Sequence, residues 1–164
     1  EVFTAAVARN LYKLMAYKDE YEVARLLLAE EGQRGYAAVA GEGTAPEVTY
    51  LLHPPMLRAM GIDRKLRLQR SAVPALRALR RGKRLRGTLA DPFRWAEVRR
   101  VERAMIPEDI AAVDRLCARI QADPSAETLA TVTEIAALPD AVRGYEDLKL
   151  RRAAAYRSEL ARRL

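Results

Sequence analysis

Apolar residues recur at helical spacing almost from the start of the chain. Phe3, Val7, Leu11, Leu14, Tyr21 and Leu28 fall on one stripe. Tyr12, Met15, Val23, Leu26 and Leu27 lie off it. The pattern predicts helix over 3–31, buried on more than one side, with the charged step Lys18-Asp19-Glu20 marking a kink or a break. Gly32, Gly35, Gly41 and Gly43 predict a loop over 32–46. Residues 47–53 are rich in strand formers and stop at Pro54-Pro55, and 64–68 alternates, so the two predict a small two-stranded hairpin that must lean on helices.

Helical spacing returns from Ser71, with Pro74 in the first turn and Leu76 and Leu79 on the apolar face up to Gly82. A long helix is predicted over 93–121 from Val98, Val101, Met105, Val113, Leu116 and Ile120, with Pro107 kinking or restarting it. Ser125-x-x-Thr128 predicts the start of a helix carrying Leu129, Val132 and Ile135, which Leu138-Pro139-Asp140 stops. Gly144 precedes a last helix with Leu148, Tyr156, Leu160 and Leu164 on its apolar side. The predicted fold is therefore mainly α, about five helices with a small two-stranded β-hairpin, in one domain covering 1–164.

Charge changes this picture at one place. The chain has 164 residues and a formal net charge of +7. Ten basic residues and no acid lie between Arg64 and Arg86. Such a block binds a polyanion, stays solvated, or docks on an acidic partner. No aromatic occurs from Ile62 to Leu89 to read or stack on bases, which argues against nucleic acid.

Little catalytic chemistry is available. Cys117 and His53 are each the single residue of their kind, so no disulfide, no Cys-x-x-Cys pair and no cysteine–histidine metal set can be assembled. Cys117 reads as a small core residue and His53 as a structural one. The glycines of 32–43 lack the spacing and the lysine of a phosphate-cradling loop. No stretch approaches the roughly 18 apolar residues of a membrane span, and no signal peptide opens the chain. The single cysteine favours a cytoplasmic setting. The chain opens on Glu1 without an initiator Met, and periodicity begins at once, so we expect a domain trimmed from a longer protein.

Three stretches carry a resemblance. The first runs from Ala6 to Leu26 (AVARNLYKLMAYKDEYEVARL). The second runs from Leu85 to Phe93 (LRGTLADPF), followed by Glu97 and by Arg99 through Arg103. The third runs from Leu138 to Tyr145 (LPDAVRGY), followed by Lys149. In this order they resemble the C-terminal domain of single-chain indolepyruvate:ferredoxin oxidoreductases, a 2-oxoacid oxidoreductase family. The resemblance covers nearly the whole chain. It implies a parent enzyme that decarboxylates an aryl 2-oxoacid with thiamine diphosphate and Mg, forms the acyl-CoA, and passes electrons through an iron–sulfur cluster to ferredoxin. It places those cofactors in other domains and none in this chain. Glu146-Asp147 stand where the family pattern carries Gly-His, so a proton-transfer role resting on that histidine does not carry over. Residues 27–46 also diverge.

The resemblance thus implies a non-catalytic accessory domain that docks on the other domains of its parent. Arg9, Lys13, Lys18, Asp19, Glu20, Asp91, Arg143 and Lys149 are the motif or docking candidates. Charges set among apolar faces are costly unless they are paired or face a partner. The second apolar set of the first helix, Tyr12, Met15, Val23 and Leu27, is expected to be partly bare, or covered by a copy of the chain in a homodimer. The alternative is a free-standing basic helical module that binds nucleic acid.

Overall fold

The computed structural model describes residues 1–40, 48–52 and 66–164. His53, Gly41, Gly43, Arg64 and Lys65 lie outside the described residues.

The first helical pattern resolves into two helices. Helix α1 covers Val2–Met15 and α2 covers Glu20–Leu27. The break falls at the charged step, where the Asp19 carboxylate accepts a bond from the Glu22 amide and caps α2. Helix α3, Glu30–Ala40, follows. The expected loop over 32–46 is wrong across this span. Gly32 and Gly35 cost a helix about 1 kcal/mol each, which Glu30 and Glu31 at its positive end partly offset.

The expectation of about five helices with a β-hairpin does not survive. Seven α-helices occur among the described residues. The β content is a three-residue antiparallel ladder, β1 (Tyr50–Leu52) against β2 (Leu66–Leu68), with Tyr50 opposite Leu68. So short a ladder is no independent structural member.

Helix α4 covers Val73–Arg81 and passes into a 3₁₀ turn at Gly82–Leu85. Helix α5 covers Glu97–Ala122, and the helix assignment runs through Pro107 without a restart. It begins later than the apolar spacing suggests because the 91–96 segment is held in turns. There the amides of Phe93, Arg94 and Ala96 bond to Asp91 Oδ1, the Asp91 carbonyl and the Phe93 carbonyl. Helix α6 covers Ala126–Ala137, capped by Ser125, whose hydroxyl accepts from the Thr128 amide at 3.1 Å. A 3₁₀ turn at Leu138–Ala141 stops it, and α7 covers Glu146–Arg163. Gly144 before α7 has φ +99, and a Cβ there would stand 2.9 Å from the Leu148 side chain, so only glycine fits.

The chain divides into two compact units, 1–17 with 97–164, and 18–96. In the first, Leu14, Met105, Val142, Ala153 and Tyr156 form one buried cluster. Leu116, Val132, Ile135 and Ala136 form a second. Leu138 and Leu160 pack against both. In the second unit Ala24, Tyr50 and Leu76 are the buried centre, with Leu27, Leu28 and Leu79 around them. Three expected core residues, Leu129, Leu148 and Leu164, are exposed instead. Among the described residues no helix is long and apolar enough to cross a membrane.

Candidate functional site

Most of the charged motif residues have partners inside their own unit. In the first unit the Lys13 ammonium donates to the carbonyls of Pro139 and Asp140 and to Asp140 Oδ1. Arg143 donates to both Asp140 carboxylate oxygens at 2.6 Å. The Arg143 and Lys13 cations hold the Asp140 carboxyl below its ordinary value. This cluster ties α1 to the turn after α6.

Glu102, on α5, is buried between two cations. Arg99 reaches Oε2 at 2.6 Å, and Lys149, from α7, reaches Oε1. A buried carboxylate is tolerated here because both of its oxygens are engaged by opposite charge.

The second unit is organised around Tyr21. Its hydroxyl donates to Asp91 Oδ1 at 2.9 Å, and its ring meets Phe93 edge-on with centroids 5.2 Å apart. A Cβ at Gly82 would come within 3.0 Å of the same ring, so the glycine lets the turn close on it. Burial, then the bond to Asp91, push the Tyr21 phenol above its usual range. Asp91, 1% exposed, also accepts from the amides of Gly87 at 2.8 Å and Phe93 at 3.0 Å. Asp19 is buried too and pairs with Arg86 at 2.5 Å.

These contacts join the three motif stretches in pairs. Tyr21 with Asp91 and Asp19 with Arg86 join the first to the second. Lys13 with Asp140 joins the first to the third, and Glu102 with Lys149 joins the second to the third. Glu20 is buried. Arg9 and Lys18 are exposed and carry no partner among the described residues. The eight candidates are divided between the two units, four in each. Sequence reading missed the partners Tyr21, Arg86, Glu102 and Asp140. All four sit inside the quoted stretches or their flanks, but what each one contacts is a tertiary fact.

Two exposed surfaces stand out among the described residues. On α1, Tyr12 and Met15 are exposed at 73% and 56%, and Val2 is exposed as well, while Val23 and Leu27 of the same expected set are half-buried. In the second unit, Arg80, Arg81, Lys83 and Arg84 line an open concavity at the end of α4. Lys83 bonds Glu22 at 3.1 Å, and the Arg25 and Lys83 cations pull that carboxyl down to about 2. Trp95 is exposed, with the Arg94 guanidinium 4.7 Å over its ring.

Cys117 is half-buried. Among the described residues no group of three or more His, Cys, Asp or Glu is placed to hold a metal ion.

No curated protein and no solved structure matches the chain. A family model does match it, over residues 1–162, and so takes in both compact units and all three motif stretches. The chain belongs to that family, DUF6537, described as a family of unknown function.

Proposed function

We propose that the chain is a non-catalytic accessory domain of a thiamine-diphosphate-dependent indolepyruvate (2-oxoacid):ferredoxin oxidoreductase, working in the cytoplasm. Its role is to dock on the domains that hold the reaction. The observation that carries this reading is the bare apolar strip on α1, with Tyr12 and Met15 exposed inside the longest stretch of the resemblance. A contiguous apolar strip on a folded domain marks a contact surface. Exposed, unpaired Arg9 lies on the same helix and would orient the partner.

The interlocked charges support the same reading. They spend the motif residues on holding this domain's shape, as a docking scaffold requires, rather than on a reaction. The parent's groups do not fit here. A single cysteine cannot ligate a cluster, and no Gly-rich turn cradles a diphosphate. Thiamine diphosphate, Mg, the iron–sulfur cluster, CoA and ferredoxin are therefore partners of other domains, and no step is assigned to this chain.

The test uses the whole polypeptide that carries this domain. Tyr12→Asp with Met15→Asp should lower indolepyruvate-dependent ferredoxin reduction by about tenfold or more, while circular dichroism of the isolated variant chain stays unchanged. Full activity in the variant would overturn the docking face. A parent polypeptide with no indolepyruvate-dependent, thiamine-requiring activity would overturn the assignment itself.

A further inference from the structure

We infer that the concavity at the end of α4 binds a small oligophosphate anion. Arg80 and Arg81 lie in the last turn of α4, and the 3₁₀ turn at Gly82–Leu85 adds Lys83 and Arg84. Together they line one open depression. Lys83 shares the Glu22 carboxylate with Arg25, whereas Arg80, Arg81 and Arg84 have no carboxylate partner among the described residues. Lys13, Arg99, Arg143, Lys149 and Arg157 are paired with acids, whereas Arg9 and Lys18 have no partner among the described residues, so it is the shared depression that sets the three arginines apart. Three arginines without an acid partner thus share one depression, and a multivalent anion would supply the missing counter-charge.

A simpler account is that cations suit the negative end of a helix. It accounts for Arg80 and Arg81 in the last turn of α4 and for Lys83 and Arg84 in the 3₁₀ turn that continues it, but not for all four lining one depression. The guanidinium fork matches phosphate oxygens two at a time, and arginine is the residue that fits such oxygens best. The frame beneath is fixed. Gly82 sits against the Tyr21 ring, Asp91 holds the Tyr21 hydroxyl, and Glu22 holds Lys83. The side chains therefore project from a backbone that does not have to be ordered on binding.

Size selects the ligand class. The four cations span five residues, about 8 Å along the helical rise, which suits two or three linked phosphates. A nucleic-acid face uses basic residues against about six to ten phosphates and adds aromatic platforms. Among the described residues, none that lines the depression is aromatic.

The inference is independent of the docking role. The test is calorimetric titration of the chain with sodium tripolyphosphate at about 0.15 M salt, where long-range attraction is screened. One-to-one saturable binding is expected. Arg80→Gln with Arg81→Gln and Arg84→Gln should weaken it by about tenfold or more. Arg115→Gln with Arg119→Gln and Arg151→Gln removes the same charge from the other unit and should change it by less than about twofold. Circular dichroism checks that both triple variants stay folded. No saturable binding would overturn the inference, as would equal loss in the two triple variants. Tighter binding of a single-stranded oligonucleotide, with a steep salt dependence, would also overturn it and identify a nucleic-acid face.

Discussion

Tyr156 donates its hydroxyl to Asp109 Oδ1 at 2.9 Å, and both residues are buried between α5 and α7. Burial pushes the Asp109 carboxyl up, against the smaller pull of that bond. A folded value above the unfolded one means the folded chain holds the extra proton longer. Stability from this group is present at low pH and falls as pH rises from the unfolded through the folded value. Asp109→Asn keeps an oxygen to accept from Tyr156 and removes the buried charge. Urea unfolding across pH 3–7 should then show the variant gaining stability relative to the unsubstituted chain as the pH rises, with no loss of stability at pH 7. A variant that loses stability relative to the unsubstituted chain as the pH rises would contradict the burial argument. Tyr156→Phe leaves the carboxylate without its donor and should cost about 1–3 kcal/mol at pH 7. The sequence reading did not single out Asp109, although it shares core spacing with Met105, Ala112 and Leu116, and all four are buried. Its hydroxyl partner comes from 47 residues away, and no local pattern announces that.

At the scale of the element, short-range chemistry set several boundaries. Ser125 caps α6 where its spacing to Thr128 says it should, and Asp19 opens α2 at the charged step. Misses occurred where a local signal was outweighed. Two glycines did not stop α3, and Pro107 did not restart α5. Proline in a helix interior removes one backbone donor and crowds the preceding turn. Pro107 is exposed, so replacing it strips no core contact. Pro107→Ala should therefore raise stability by about 1–3 kcal/mol in urea unfolding. An unchanged or lower midpoint would mean that the proline's rigidity outweighs the lost bond.

For the molecule as a whole, charge and apolar surface are unevenly placed. Six of the seven net positive charges fall in residues 18–96, the unit that holds the arginine concavity. The bare apolar strip belongs to α1, in the other unit. Residues this exposed contribute little to folding, so Tyr12→Ser with Met15→Ser should leave the unfolding free energy of the isolated chain within about 0.5 kcal/mol. Binding of a hydrophobic fluorescent dye should fall at the same time. A loss of several kcal/mol would show that the two side chains serve the fold rather than a partner.

Periodicity determined the helical class and the core positions of α5, and local capping and charge signals the break near residue 19 and the starts of α4 and α6, because these depend on neighbours within one or two turns. The tertiary structure decided the rest. Leu129, Leu148 and Leu164 lie on apolar stripes yet face solvent, because burial depends on which helix arrives opposite. Lys13, Asp19, Asp91, Arg143 and Lys149 were recognisable as unusual charges. Whether each was spent inside the fold or held out for a partner depended on residues 47 to 127 positions away for all but Arg143, whose acid lies three residues before it. Coulomb attraction and desolvation act through space, and sequence order carries no measure of that distance.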